Sequence, residues 1–202
     1  MEGSPRAVLV RHPRVAASWK GYCYGASDVP LSRAGRKQIS KIAADLAAND
    51  PSRVVHTGLV RTLSLATAIA RISKVPLHYD ARFAEMNFGT WEGRSWLTIY
   101  SEIGDTMSKI IEAPDSYAPD GGETVLDVRN RVVSALLGIP RDGLTVVVTH
   151  GGPISAVRGT LAKLPVRAWP DLIPGYCERL CLLDADLDNL AKSTALHLHK
   201  ES

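Results

Sequence analysis

Two short segments put a histidine where a β-strand should end: Leu9-Val10-Arg11-His12 and Val147-Val148-Thr149-His150-Gly151-Gly152. A neutral imidazole nitrogen is a competent nucleophile toward phosphorus, and a phosphohistidine divides one hard displacement into two easier ones. Arg11 and Arg61 carry planar forks that match phosphate oxygens bidentately. A helix opening at Gly152 would add backbone N–H donors for the same anion. The alkoxide leaving an ordinary ester must be protonated as it departs. The loop Ala84 to Gly93 offers Glu85 and Glu92 for that purpose, among Met86, Phe88 and Trp91. Each feature alone has a plainer reading: Arg-His at a strand end is ordinary surface chemistry, His-Gly-Gly is a common helix entry, and the Glu- and Trp-bearing loop can be a packed lid. The weight lies in all of them meeting at one rim.

For that meeting, the chain must place both histidines on neighbouring parallel strands, because ligands of open α/β sheets bind outside the carboxyl ends of strands. Ala7 to Val10 is an apolar run too short for a helix and reads as a buried strand. Ser32 caps a helix in which Ile39, Ile42, Ala43 and Leu46 recur at helical spacing, ended by Asn49-Asp50-Pro51. Arg53 to His56 is a second strand, Leu59 to Ile72 a helix, and Pro76 to Tyr79 a third strand. Thr124 to Leu137 reads as a helix, and Leu144 to Val148 is the clearest strand in the chain. Pro153 sits in the first turn of the next helix, where proline is tolerated. Leu180 to Leu183 and Thr194 to Leu198 read as late strands. Alternation of this kind predicts an α/β fold, a three-layer α/β/α sandwich with a mostly parallel central sheet. One domain is expected over residues 1–202, with a helical and loop insertion around 95–121 covering the site.

Bulk properties restrict the function classes. The 202 residues are 45% hydrophobic and 22% charged, enough for one sizeable core. A net charge of +3 suits an anionic small molecule but lacks the clustered excess of a nucleic-acid binder, and only two Phe are present for base stacking. Three scattered cysteines suggest no disulfide framework. No apolar run approaches the roughly 20 residues that span a bilayer, and the N-terminus lacks signal-peptide features. A cytoplasmic protein, monomer or homodimer, with neither membrane nor nucleic-acid partner is the expectation. Cys177, Cys181, His197 and His199 can be drawn as a zinc site, but their spacing matches no common finger or ribbon. No glycine-rich nucleotide loop is present, so no cofactor is expected.

In order and spacing these motifs resemble the histidine phosphatase superfamily, the phosphoglycerate mutase-like proteins, over nearly the whole chain. The family's Arg-His-Gly stands here as Arg11-His12-Pro13. Its arginine segment stands as His56-Thr57-Gly58-Leu59-Val60-Arg61, its acidic loop as Glu85 through Gly93, its helix entry as Gly121-Gly122-Glu123, and its second histidine motif as Thr149 through Gly152. The resemblance implies that His12 is the phosphorylated nucleophile, that Arg11, Arg61 and His150 form the phosphate pocket, and that Glu85 is the proton donor. It implies a role in holding the loop for Glu92, and makes Ser18, Ser27 and Glu123 candidates for substrate contact or loop support. Pro13 departs from the usual glycine, removing a backbone donor and fixing φ beside the nucleophile. Ser18 falls about where many members have a phosphate-contacting Asn, His56-Thr57 replaces a pair of serines, and Leu65 replaces a threonine.

The stretch Gly21 to Leu31, with its Cys23-Tyr24-Gly25 step, is similar to that of α-ribazole phosphatases, the cobalamin-pathway members. A phosphatase acting on a small-molecule phosphomonoester is therefore expected, with α-ribazole 5′-phosphate as a candidate. A phosphoglycerate mutase, a sugar-phosphate phosphatase or a non-catalytic phospho-ligand binder are the alternatives.

Overall fold

The computed structural model describes residues 4–198, with side chains through residue 193. Five strands form the sheet: β1 Ala7–Arg11, β2 Pro51–His56, β3 Leu77–Tyr79, β4 Leu144–Thr149 and β5 Arg179–Leu182. Their order across the sheet is β3-β2-β4-β1-β5. The first four run parallel to their neighbours and β5 is antiparallel to β1. The helices in chain order are α1 Arg33–Ala47, α2 Val60–Ser73, α3 Trp96–Ile103, α4 Lys109–Glu112, α5 Val125–Leu137, α6 Gly151–Leu161 and α7 Asp184–Leu198.

Strand periodicity makes the three layers. Successive side chains of a strand point to opposite faces, so Val8 and Val10 of β1 join Val146 and Val148 of β4 in a core shared with Ala43 and Leu46 of α1 and Leu65 and Ile69 of α2. Ala7 and Leu9 of β1 instead meet Val147 of β4 and Leu182 of β5, in a core closed by Val132 and Leu136 of α5, Ile154 of α6 and Leu187 of α7. The expected sandwich with a mostly parallel sheet is the fold observed.

Side-chain caps mark the starts of α1 and α5. The Ser32 side chain accepts from Gly35 N–H at the start of α1. Thr124 and Asp127 form a reciprocal capping box at α5, a stronger start than the apolar spacing alone indicates. One expectation fails: Thr194 to Leu198 is not a strand but the last part of α7. Its short alternation is overruled by the longer helical pattern it continues. Leu187 and Leu190, three apart, are buried, and Asp186 accepts from Leu183 N–H at the helix start.

The segment after residue 95 holds α3, a 3₁₀ turn over Gly104–Ser108 and the short α4. Ile99, with Trp96, Ile103, Met107 and Tyr117, packs on Cys23 and Trp91, and Ile110 joins this cluster to the core beneath the sheet. This segment therefore lies over the loops at the carboxyl ends of the strands.

Candidate active site

The sheet order brings the two histidines together. In the β1–β4 ladder Arg11 pairs with Thr149, and the His12 backbone N–H donates to the Thr149 carbonyl at 2.9 Å. The next residue on each strand is a histidine, and the ring centroids lie 5.2 Å apart at 64°. His12 is 2% exposed and His150 is fully buried.

Hydrogen bonds determine which nitrogen of each ring is free. His12 Nδ1 lies 2.8 Å from the Pro13 carbonyl, which can only accept, so Nδ1 carries the hydrogen and the Nε2 lone pair is free. What residue 13 contributes is thus its carbonyl, which proline retains; the departure from glycine leaves this contact intact. His150 Nδ1 faces Arg61 Nε at 3.3 Å, and since guanidinium only donates, this nitrogen is unprotonated. Its Nε2–H then donates to Thr57 Oγ1 at 2.9 Å. Thr57 passes the bond to Thr62 Oγ1 at 3.0 Å, and Thr62 donates to the Leu59 carbonyl at 2.9 Å. This relay of buried hydroxyls holds the ring in one tautomer. In that form His150 offers no N–H toward an anion.

Both rings are held neutral. Burial, then the Arg61 charge and more weakly Arg11, bring the His12 pKa down to about 3 against the opposing Pro13 carbonyl. Burial, with His12, Arg61, Arg131 and Arg11, holds His150 well below the usual histidine range. For both, the folded pKa lies below the unfolded 6.5, so at acidic pH the unfolded chain binds more protons. Stability is therefore unaffected above pH 6.5 and is lost as pH falls below it, down to about 3 in the case of His12, by up to about 1.4 kcal/mol per pH unit for each histidine. Calorimetric Tm should fall over that window, and His12→Asn should flatten the fall. An unchanged slope in the variant would mean that His12 is not buried neutral.

Arg61 enters from α2 and is fully buried. It donates to the Ser27 and Gly25 carbonyls, each at 2.6 Å. Burial lowers its pKa, opposed chiefly by Glu85. Arg11 donates to the Pro174 carbonyl at 2.6 Å and lies 4.3 Å from the centroid of the Tyr176 ring. Its Nε is buried without a partner, a donor that a bound anion would satisfy.

Glu85 lies on the wall of the cavity that also holds His12, Arg11 and Arg61. Its Oε1 accepts from Met86 N–H at 3.1 Å and its Oε2 from Gly152 N–H at 3.2 Å, at the start of α6. A Cβ at position 152 would fall 2.3 Å from Glu85 Oε1, so this carboxylate needs glycine there. Gly152→Ala is expected to displace Glu85 alone, since a flexible side-chain end yields before backbone. Turnover of alkyl phosphates should fall by roughly 10²-fold, the cost of displacing a reacting group by about 1 Å, with Tm little changed. Unaltered kinetics would show that Glu85's position is not critical.

Glu92 is built differently. Its carboxylate accepts the Gly25, Ala26 and Phe88 N–H groups at 3.0, 2.9 and 3.1 Å, together with the N–H and hydroxyl of Ser27. Burial alone would raise its pKa, but the Ser27 hydroxyl and the backbone donors hold it below the usual carboxylate value. Ser27 braces the loop with its hydroxyl and Arg61 with its carbonyl. Glu123 accepts from Asn87 N–H at 2.9 Å and pairs with Arg131 Nε at 2.7 Å. Of the candidates, His12, Arg11, Arg61 and Glu85 line the cavity, while His150, Ser27, Glu92 and Glu123 stand behind its wall; Ser18 is exposed on a 3₁₀ turn, Ala17–Trp19, and does not line it. The turn is oriented by Trp19, whose ring packs near Tyr22 and Tyr24, and this leaves Ser18 on the outside.

Sequence reasoning missed Arg131. From α5 its guanidinium donates to the Arg82, Ala84 and Glu85 carbonyls, so it holds the backbone of the acid loop. No local pattern marks it, because its partners lie 46 to 49 residues before it in the chain. Tyr176 was also missed; its ring lies 5.7 Å from that of His12. Among the described residues no three His, Cys, Asp or Glu side chains gather as a metal set. Cys181 is exposed, and His199 of the drawn zinc site lies outside the described residues.

The sequence pattern of the histidine phosphatase superfamily, branch 1, matches residues 7–188. The chain is 32% identical over 178 residues to a glucosyl-3-phosphoglycerate phosphatase of Mycolicibacterium vanbaalenii, covering 83% of this chain and 78% of that one. The native structure of mycobacterial glucosyl-3-phosphoglycerate phosphatase superposes with a TM-score of 0.75 at 28% identity, over 87% of this chain and 88% of that one. The α-ribazole phosphatase of Shigella flexneri superposes with a TM-score of 0.74 over 86% and 87%, but at 22% identity it shares the fold alone. The motifs, their order along the chain and the fold that gathers them agree, and the chain belongs to the histidine phosphatase superfamily, branch 1.

Proposed function

We propose that this phosphatase hydrolyses small phosphomonoesters through a phosphohistidine formed on His12 Nε2. The observation that carries the reading is the neutral, buried His12 ring, its Nδ1–H engaged by the Pro13 carbonyl and its Nε2 lone pair free beside two arginines. In the first step that lone pair attacks phosphorus in line with the ester oxygen. The P–O bond breaks, and Glu85 as its carboxylic acid gives a proton to the departing alcohol. The Pro13 carbonyl stabilises the positive charge that grows on the ring. In the second step the Glu85 carboxylate takes a proton from water. The resulting hydroxyl attacks phosphorus, the P–N bond breaks, and its electron pair returns to Nε2.

Negative charge stays on the three equatorial oxygens throughout, which suits fixed guanidinium groups. Arg11 offers its unpartnered Nε, and Arg61 stands rigid on its carbonyl props. Neutral His150 accepts from Arg61 Nε and so steadies that guanidinium beside the phosphate. Glu92, Ser27, Glu123 and Arg131 hold loops rather than substrate. In this reading residues 1–202 work as one unit, with the 95–121 segment roofing the cavity.

The test is a phosphate-release screen over natural phosphomonoesters, α-ribazole 5′-phosphate and 3-phosphoglycerate included. Products should be free alcohol and inorganic phosphate. Conversion of 3-phosphoglycerate to its isomer, without phosphate release, would identify a mutase instead.

A further inference from the structure

The cavity has two chemically distinct ends. Its volume is about 400 Å³, toward the lower end of the roughly 300–1,000 Å³ of small-molecule sites. His12, Arg11, Arg61 and Glu85 occupy the phosphoryl end. Away from them the wall is built largely from Phe88, Trp96, Ile110, Ile111, Val125 and Trp169, and among the described residues Arg11 and Arg61 are its only Lys or Arg side chains.

The polar atoms in this wall are largely engaged. The Ser155 hydroxyl donates to the Trp169 carbonyl. Trp169 Nε1–H donates to the Leu164 carbonyl at 3.0 Å. The Tyr24 hydroxyl lies 3.2 Å from that of Tyr176. A carboxylate on the alcohol half of a substrate would thus lose water, find no cation of its own and share the cavity with Glu85. A polyhydroxylated sugar would meet few free donors or acceptors, and buried polar groups without partners are costly. An aromatic body has ready contacts. Phe88 and Trp96 already stand edge to face, with centroids 5.6 Å apart, and an added ring continues that arrangement.

We infer that the alcohol released by this enzyme is uncharged and largely apolar, aromatic or branched aliphatic, and that esters carrying a carboxylate are poor substrates. The inference rests on the phosphatase reading above and specifies the substrate class for the same site. Trp96, Ile110 and Ile111 all come from the segment after residue 95, so that segment sets the specificity.

The experiment compares 3-phenylpropyl phosphate with 3-phosphoglycerate and glucose 6-phosphate. All three are alkyl esters with similarly basic leaving groups, so differences in kcat/KM report the wall rather than the chemistry. The phenylpropyl ester is expected to be favoured by at least about 10²-fold, the scale on which pockets discriminate. Ile111→Arg, which adds a cation where the wall has none, should shift the ratio toward 3-phosphoglycerate by about 10-fold. Acetyl phosphate, too small to reach the wall, serves as the control for the phosphoryl end. If it is hydrolysed while 3-phosphoglycerate equals or exceeds the phenylpropyl ester in the unaltered enzyme, the apolar-alcohol proposal is overturned. If neither acetyl phosphate nor any ester is hydrolysed, the phosphatase reading itself fails.

Discussion

Replacing His12 by asparagine is expected to lower hydrolysis of every phosphate ester by at least about 10⁴-fold, the scale on which removal of a covalent nucleophile acts. Asparagine keeps a polar group near Nδ1 and fills part of the buried space, so the fold should survive. It has no nitrogen at the position of Nε2, whose lone pair makes the bond to phosphorus. The unaltered enzyme, quenched during turnover of a labelled substrate, should carry a phosphoryl group that is acid-labile and base-stable, as expected for a phosphoramidate. The variant should carry none. A variant that still turns over within about tenfold of the parent would assign the nucleophile to another group, with water acting directly the simplest replacement.

Glu85→Gln should cost about 10²-fold or more on alkyl phosphates, as usual for loss of a general acid. The loss should be much smaller on p-nitrophenyl phosphate, whose leaving group scarcely needs a proton. The amide retains an oxygen that can accept from Met86 or Gly152 N–H, so the loop should stay in place while the proton is gone. This divergence between substrates separates a proton donor from a structural carboxylate. Glu92 is the natural control, since its carboxylate is taken up by four backbone N–H groups and the Ser27 hydroxyl. Glu92→Gln should lower both activities alike, along with Tm. Equal losses at Glu85 would remove it from the chemistry.

The fold and the site differ in how far they could be read from residues in a row. The ends of β1 and β4, the Ser32 cap and the glycine after His150 are local features, controlled by neighbours within a few positions. The two histidines and the two arginines could therefore be named as candidates from the sequence, while the preference for Glu85 over Glu92 came from the family resemblance. Thr194 to Leu198 shows the opposite limit: five alternating residues satisfy the strand period, and the buried helical face of Leu187 and Leu190 decides the matter. Ser18 shows another, since its proximity along the chain to His12 did not bring it to the cavity.

The chemical repertoire of this protein is already present in its order of residues, because side-chain type and strand or helix period depend only on close neighbours. Three properties depend instead on pairing between distant segments. The first is the meeting of His12 with His150, which follows from β1 lying beside β4 in the sheet. The second is the state of each buried ring, set by the Pro13 carbonyl, Arg61 and the Thr57–Thr62 relay. The third is the apolar wall opposite the arginines, assembled from α3, α4, α5 and the turn at Trp169. Such contacts carry no local signature: their energies come from burial and from hydrogen bonds between residues that become neighbours only when the chain has folded.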